Sequence, residues 1–181
     1  DYGNVPDSYE ATLDAFRKAS RKSDLILTSG GMSVGEADYI KPVVEALGHI
    51  DMWKIAVKPG KPVAKGEVNG VPFLGLPGNP VSSLVTFLIF AQPLILKLSG
   101  RREVEVKSYN LPIDFDWKGG SRREFIRVRR NENGALEAYR TQNSAVLTSC
   151  LWADGLADIP ANADLKKGDL VRYIPFSGFS L

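Results

Sequence analysis

The hydrophobic pattern of the first hundred residues alternates between helix-like and strand-like segments. The capping-box pattern Asp7-x-x-Glu10 predicts the start of an amphipathic helix that runs to about Ala19. Residues 24–28 are a short apolar run that stops at Gly30-Gly31, which indicates a buried strand entering a tight loop.

Further helix and strand patterns follow in the same alternation. The predicted elements are a helix at 39–47, strands at 50–57, 63–68 and 71–76, and a helix at 81–98. Asn69-Gly70 is a hairpin-turn pair between the last two strands. Strands alternating with helices favour an α/β layer structure with a largely parallel sheet.

The apolar segment 81–98 is barely long enough to cross a membrane. It also carries the polar side chains of Ser82, Ser83, Gln92 and Lys97. A buried core helix is therefore favoured over a membrane span, and no membrane partner is expected.

The pattern changes near residue 102. Beyond it, short strand-like runs are separated by Gly, Asn and Asp, which is typical of a small all-β domain. The predicted domains are residues 1–102, with an α/β fold, and residues 103–181, with a β fold.

Composition and charge bear on which partners and which kinds of site the chain can have. The formal net charge of +2 is too small to predict nucleic acid or a membrane surface as a partner. Cys150 is the single cysteine, so the chain forms no internal disulfide, which fits a reducing, cytoplasmic location. His49 is the single histidine, and nothing near it in sequence supports a catalytic triad or a zinc site. The chain starts without Met and has no signal-peptide pattern, so we expect a fragment.

The loop after the first predicted strand could hold an anion. It contains glycines and hydroxyls whose backbone and side-chain groups can surround a phosphate, namely Ser29, Gly30, Gly31, Ser33 and Gly35. A plain glycine-rich turn is an equal alternative. Glu36 and Asp38 in the same loop could hold Mg²⁺, or could serve only as acids at a helix N-terminus.

Two later loops have the same character. Lys58-Pro59-Gly60-Lys61-Pro62 brings two cations onto a rigid turn, which suits a small oxyanion, although exposed lysines are the commoner case. Pro77-Gly78-Asn79-Pro80 opens a helix, with Ser82 in its first turn, so its free N–H groups could attract an anion. Plain capping would also explain Asn79. Because each loop adjoins a strand of one sheet, we expect all three to line one cleft.

The β region contains one notable basic strand at 121–129. Alternation places Arg123, Arg127 and Arg129 on one face, where guanidinium groups could bind a tetrahedral oxyanion. A charged edge strand that resists aggregation is the alternative. Gln142-Asn143-Ser144 is a polar turn with no chemistry visible on its own.

Three strings in this order resemble the molybdopterin molybdenumtransferase family, which includes the E domain of gephyrin. They are SDLILTSGGMSVGEADY (23–39), VKPGKPVA (57–64) and GLPGNPVSS (75–83). SRREFIRV (121–128) and QNSAVLTS (142–149) are similar to the C-terminal domain of that family. The resemblance implies a three-layer molybdopterin-binding (MogA-like) α/β domain, lacking its N-terminal part, followed by a small C-terminal β-barrel domain.

The resemblance also implies an activity and a distribution of roles. The family transfers molybdenum from molybdate to adenylylated molybdopterin, with Mg²⁺, and releases AMP. By motif, the Gly30–Asp38 loop would face the pterin phosphate and the metal, with Glu36 and Asp38 as metal ligands. The implied catalytic contacts are Lys58, Lys61, Ser82, Arg123 and Ser144. The implied pterin-binding residues are Ser29, Gly30, Gly31, Ser33, Gly35, Pro59, Gly60, Pro62, Pro77, Gly78 and Asn79.

The chain departs from that family at its start. In the family, an opening strand of the α/β domain and two preceding domains, which dimerise, come before the part that this chain resembles, and they have no counterpart here. We therefore expect a homodimer only of the full-length protein. We also expect little activity of the fragment alone. Two alternatives stay open, namely a pterin-binding or scaffold module without turnover and a molybdopterin adenylyltransferase. The C-terminal β region disfavours the adenylyltransferase.

Overall fold

A computed structural model describes residues 1–31 and 38–179 of the chain. The chain divides into two compact units: Asp1–Ile55 with Gly60–Asn79, and Ala56–Pro59 with Pro80–Leu181. The division groups the long apolar helix with the second unit. The sequence instead predicts a domain boundary near residue 102, and this boundary stays a prediction.

The first unit consists of two helices and a four-stranded sheet. Its elements are α1 (Tyr9–Ala19), β1 (Ile26–Ser29), α2 (Ile40–Leu47), β2 (Gly48–Trp53), β4 (Ala64–Val68) and β5 (Val71–Leu76). The strand β3 (Val57–Lys58) lies between β2 and β4 in the chain and belongs to the second unit.

The sheet of the first unit is mixed, so the prediction of a largely parallel sheet is wrong. The strand order is β1-β5-β4-β2, and β1 pairs with β5 in parallel, whereas β5–β4 and β4–β2 are antiparallel. The reason is local. Asn69 and Gly70 have φ of 48° and 82°, the backbone of a two-residue hairpin turn, and this turn reverses the chain between β4 and β5.

An apolar core holds the helices of the first unit on its sheet. Val43 and Val44 of α2 and Phe73 of β5 are fully buried, and the ring of Phe16 lies 5.6 Å from that of Phe73. The apolar positions that recur with helix and strand periodicity in the sequence thus pack into one buried cluster.

Helix α1 begins one residue later than the sequence predicted. Its N-cap is Ser8, whose hydroxyl accepts a hydrogen bond from the N–H of Ala11 at 3.2 Å. Asp7 therefore does not cap the helix, and Glu10 lies in its first turn as an acid that complements the helix dipole.

The second unit begins with a long apolar helix, composed of α3 (Pro80–Thr86), a π-helical turn (Phe87–Ala91) and α4 (Gln92–Leu98). The wide turn directly precedes Pro93, which has no N–H to offer an α-helical bond. Val81, Val85 and Ala91 are buried, whereas Leu98 is exposed. By length and composition the helix could cross a membrane, a criterion that core helices of soluble proteins also meet.

Antiparallel strands form most of the second unit. The remaining elements are β6 (Tyr109–Pro112), β7 (Trp117–Lys118), β8 (Arg123–Arg130), β9 (Leu136–Ala138), α5 (Thr148–Trp152), β10 (Gly155–Ile159), β11 (Asp164–Leu165) and β12 (Leu170–Pro175). The main sheet has the order β3-β8-β10-β12-β6, β9 pairs with β8, and β11 pairs with β7. The mixed α/β class is confirmed, while closure of these strands into a barrel stays a prediction.

We expect Ser8→Ala to lower the free energy of unfolding by about 1 kcal/mol, because the Ala11 N–H loses its acceptor. Asp7→Ala is the matched control and should cost less than about 0.5 kcal/mol, as surface substitutions usually do. Urea unfolding and hydrogen exchange of the α1 amides measure the difference, and an equal effect of both substitutions would contradict the assignment of Ser8 as the cap.

A second prediction concerns Tyr173, whose hydroxyl donates to Asp154 Oδ1 at 2.8 Å in the core of the second unit. We expect Tyr173→Phe to cost about 1–2 kcal/mol, because the substitution removes a buried hydrogen bond. Tyr109→Phe is the control, since Tyr109 pairs with Tyr173 in register but is exposed.

The same tyrosine predicts a dependence on pH. Burial, together with the bond to Asp154, raises the pKa of Tyr173 above its ordinary value of 10.0. The folded state therefore keeps a proton that the unfolded state loses, and stability should fall as pH rises above that value. Urea unfolding of the Tyr173→Phe variant should show a smaller alkaline loss than the wild type, and an unchanged loss would contradict this account.

Candidate functional site

One end of the sheet in the first unit gathers the loops that the sequence singled out. Ser29 at the end of β1 pairs with Leu76 at the end of β5, and Gly75 of β5 pairs with Ala64 at the start of β4. The segments after β1, after β5 and before β4 therefore leave the sheet at the same end. Lys61 belongs to the last of these segments, so it shares this end with Gly30-Gly31. That the loops line one cleft stays a prediction.

The loops after β1 and β5 lie in close contact. The N–H of Gly30 donates to the carbonyl of Leu76 at 3.0 Å, and the hydroxyl of Ser29 donates to the carbonyl of Pro77 at 3.5 Å. A Cβ on Gly78 would come within 3.3 Å of the Cα of Gly30, and Gly30 itself has φ of 93°. Glycine at both positions thus lets two backbones approach each other.

The predicted acidic metal ligands divide between described and undescribed residues. Ser33, Gly35 and Glu36 lie outside the described residues. Asp38 is half-buried, and its Oδ1 accepts the N–H of Ile40 at 3.3 Å, which is the helix N-terminal role left open by the sequence. Within residues 1–31 and 38–179, no three acidic, His or Cys side chains form a group that could hold a metal.

A cavity of about 820 Å³ lies alongside β1 in the first unit. Its polar edge includes Ser29, Gly30, Gly31 and Asp38. Its apolar wall includes Phe16, Ala19, Leu25, Ile26 and Ile40. The volume falls in the range of small-molecule pockets, and the glycine loop opens onto it.

Two buried oxygens near this end of the sheet have no hydrogen-bond partner within the described part of the chain. They are Thr28 Oγ1 in β1 and Asn79 Oδ1 after β5. Because Asn79 Oδ1 accepts no described N–H, plain capping of α3 does not account for this residue. A buried polar atom without a partner is costly, so a ligand or water at these positions would satisfy it.

The two lysines of the Lys58–Pro62 loop lie in different environments. Lys58 Nζ lies 3.2 Å from Oε2 of Glu124, a carboxylate on β8 that is only 4% exposed, and the Lys58-Pro59 peptide is cis. The side chain of Lys61 is exposed, while its carbonyl accepts the N–H groups of Ile55 and Val63.

Sequence reasoning missed Lys54, which has φ of 86° at the end of the sheet where these loops meet. A non-glycine residue in this region is strained, and such residues concentrate at functional sites. No sequence signal marks Lys54, because backbone strain is a property of the folded chain.

The arginines of β8 have different environments. Arg123 donates two hydrogen bonds to Asp158, at 2.6 and 2.5 Å, which raise the pKa of Arg123. Arg129 is exposed and bound to Glu137. Arg127 is 1% exposed, and burial lowers its pKa. The prediction that these arginines share one face therefore did not distinguish Arg123, whose charge is neutralised by Asp158, from Arg127, which is buried.

Arg127 supports the Gln142–Ser144 turn. Its guanidinium donates to Ser149 Oγ at 3.1 Å and to the carbonyl of Asn143 at 3.2 Å, and its backbone N–H donates to Gln142 Oε1 at 2.8 Å. No carboxylate pairs with Arg127 in the part of the chain that the structure describes. Its guanidinium charge is thus buried against neutral oxygen acceptors of the described residues.

The remaining predicted residue, Ser82, is buried in the first turn of α3 in the second unit. Within that unit the structure thus contains Lys58, Arg123, Arg127, Ser82 and Ser144, while the glycine loops, Lys61 and Asn79 belong to the first.

Comparison with protein families matches residues 1–97, more than half of the chain, to the family described as "Probable molybdopterin binding domain". The chain belongs to this molybdopterin-binding family. Residues 110–176 match a second family, described as the MoeA C-terminal region (domain IV). The resemblance to the molybdopterin molybdenumtransferases is thereby confirmed.

Individual relatives agree with the family. The molybdopterin molybdenumtransferase of Haemophilus influenzae is 52% identical over 103 residues, which cover 57% of this chain and 26% of the relative. The Drosophila melanogaster molybdenum cofactor synthesis protein cinnamon is 35% identical, over 87% of this chain and 27% of its own length. The crystal structure of a molybdopterin biosynthesis MoeA protein from Pyrococcus horikoshii has a TM-score of 0.79 at 31% identity, covering 97% of this chain and 43% of that protein. This member of the molybdopterin-binding family thus spans about a quarter to two fifths of the length of these relatives.

The two arginine environments predict different costs of substitution in this family member. We expect Arg127→Gln to lower the free energy of unfolding by about 1–3 kcal/mol, because it removes the hydrogen bonds to Ser149 Oγ and the Asn143 carbonyl. Arg123→Gln should cost more, about 3–5 kcal/mol, because it leaves the buried carboxylate of Asp158 with Arg172 alone, at 3.6 Å.

Urea unfolding of both variants measures the difference. An equal cost of the two substitutions would show that Asp158 does not depend on Arg123 to compensate its buried charge.

Proposed function

We propose that the chain is part of an enzyme of molybdenum cofactor biosynthesis that transfers molybdenum from molybdate to adenylylated molybdopterin and releases AMP. The match of residues 1–97 and 110–176 to molybdopterin-binding and MoeA C-terminal families carries this proposal. The chemistry of the candidate site supports it, because the loops offer N–H groups, hydroxyls and cations, which suit two anionic substrates.

The pterin phosphate is proposed to bind at the glycine loop after β1, with the loop after β5 beside it. The contact between Gly30 and Gly78 supports this assignment, because it leaves little side-chain bulk between the two backbones. The buried Thr28 Oγ1 would then donate its O–H to a phosphate oxygen, whereas Asn79 Oδ1 would accept an N–H of the pterin. The proposed pterin contacts are Ser29, Gly30, Gly31, Ser33, Gly35, Pro59, Gly60, Pro62, Pro77, Gly78 and Asn79.

Molybdate is proposed to bind to the cationic and hydroxyl groups. Lys58, Lys61, Ser82, Arg123 and Ser144 are the candidates from the sequence, and the burial of Arg127 adds it to them. These side chains would hold a tetrahedral dianion against the charge of the pterin and stabilise charge on the leaving AMP. Arg123 is the weakest member of the set, since Asp158 already takes its charge.

Further assignments rest on the sequence pattern and the family resemblance. They are Mg²⁺ bound by Glu36 and Asp38, a cytoplasmic location, a homodimer of a longer protein with additional N-terminal domains, a domain boundary near residue 102, and a closed C-terminal β-barrel. No step of the reaction is assigned to the metal, because Glu36 lies outside the described residues and Asp38 is bonded to Ile40.

The proposed reaction is tested by incubating the purified full-length protein that contains this chain with adenylylated molybdopterin, molybdate and Mg²⁺, because little activity is expected of the fragment alone. Molybdate-dependent release of AMP and recovery of molybdenum on the pterin are expected from the enzyme. Binding of the pterin without AMP release would favour a binding module, and formation of adenylylated pterin from ATP would favour an adenylyltransferase.

We expect Lys61→Ala to raise the molybdate concentration needed for half-maximal rate by about ten- to a hundredfold, since a charge-assisted contact is worth roughly 1.5–3 kcal/mol. Its effect on pterin binding should be smaller. Lys65→Ala is the matched control, because Lys65 is an exposed lysine on β4 whose ion pair among the described residues is with Asp51. Separate titrations of molybdate and pterin measure both effects, and unchanged molybdate dependence would remove Lys61 from the site.

A further inference from the structure

We propose that Glu124 is the positioning residue for Lys58, and that its carboxylate strengthens anion binding by fixing the lysine ammonium in place. This inference rests on the proposed function, because it takes Lys58 as a molybdate contact. Glu124 does not itself touch the substrate in this proposal.

The contacts of Glu124 use both of its carboxylate oxygens. Oε1 accepts the N–H of Gly120 at 3.0 Å, and Oε2 lies 3.2 Å from Lys58 Nζ. The Glu124 side chain is 4% exposed, whereas that of Lys58 is 43% exposed. The carboxylate is therefore fixed inside the protein while the ammonium reaches solvent.

The backbone around the pair is equally constrained. Lys58 on β3 lies opposite Glu124 on β8 in a parallel pair. Arg123 donates its N–H to the carbonyl of Ala56 at 3.0 Å, and the Arg122 guanidinium donates to the carbonyl of Val57 at 3.2 Å. The stems of both side chains thus start from strands that cannot shift independently.

A lysine ammonium has three N–H donors, and Glu124 takes one of them. The other two stay available to an oxyanion on the exposed side of Lys58. Holding the ammonium in advance removes part of the entropy cost of ordering a long, flexible side chain when the anion arrives.

Two physical effects of Glu124 oppose each other, and this opposition makes the proposal testable. As a negative charge near an anion site, Glu124 weakens binding by Coulomb repulsion, so its neutralisation would tighten binding. As a support for Lys58, it strengthens binding, so its neutralisation would loosen binding. We infer that the second effect is larger, because both carboxylate oxygens are already engaged and the charge is shared with the ammonium.

The test is calorimetric titration of molybdate into the purified protein and its Glu124→Gln, Lys58→Ala and double variants. Glu124→Gln keeps the size of the side chain but replaces the charged acceptor. We expect its molybdate Kd to rise about tenfold, the loss typical of a charge-assisted contact. In the Lys58→Ala background, the same substitution should change the Kd by less than about twofold, because a residue that acts through Lys58 has nothing left to position.

Glu137→Gln is the matched control, since Glu137 pairs with Arg129 on the same sheet and has no assigned role in the site. Its Kd should stay within about twofold of the wild type, the limit that defines no effect here. Unfolding curves of all variants identify any loss that comes from misfolding. Lys58→Ala should be less stable than the double variant, because it leaves the buried carboxylate without its cation.

Tighter or unchanged binding by folded Glu124→Gln would overturn the inference, and so would an equal loss in the Lys58→Ala background. Binding by the wild type that Lys58→Ala leaves intact would remove Lys58 from the site and overturn the inference while the proposed reaction still stands. Wild-type protein that neither binds molybdate nor releases AMP would overturn the proposed function and the inference together.

Discussion

Strand β8 has to bury two ionisable side chains, Glu124 and Arg127, and the contacts that compensate their charges organise the second unit. Burying a charge without partners is costly, so each side chain collects bonds from a different part of the chain. Glu124 ties β3 and the Gly120 turn to the sheet. Arg127 ties the Gln142–Ser144 turn and Ser149 to the same strand.

The groups that pair with the Arg127 guanidinium differ in chemical type from those that pair with Arg123 and Arg129. Arg123 and Arg129 are matched by carboxylates, so their charges are neutralised. Arg127 has neutral oxygen partners, which satisfy hydrogen bonds but leave a net positive charge inside the protein. Such a charge is expensive to keep inside a protein. The same reasoning separates Lys58, which a carboxylate supports, from the exposed Lys61.

In the first unit, the organising feature is the close approach of two backbone segments. Gly30 and Gly78 bring the loops after two parallel strands into contact, and the antiparallel hairpin at Asn69-Gly70 returns β4 to the same end of the sheet. A single parallel pair with its hairpin is enough to bring these loops to one end, so the shared end did not need the largely parallel sheet that the sequence pattern favoured. Thr28 Oγ1 and Asn79 Oδ1 at this end have no hydrogen-bond partner among residues 1–31 and 38–179.

The sequence by itself determined the family and most helices and strands of the first unit, because these depend on motifs and periodicity within a few residues of one another. It predicted one strand at 50–57, where the structure has β2 and β3 in different units. It misplaced the α1 cap by one residue, since Asp7 and Ser8 are both good caps and only the backbone angles choose between them. Tertiary structure decided which strands pair, which arginine is buried, that Lys54 is strained and that Glu124 supports Lys58. Each of these depends on a partner far away in the chain, and alternation along one strand cannot report whether a distant carboxylate has already neutralised a charge.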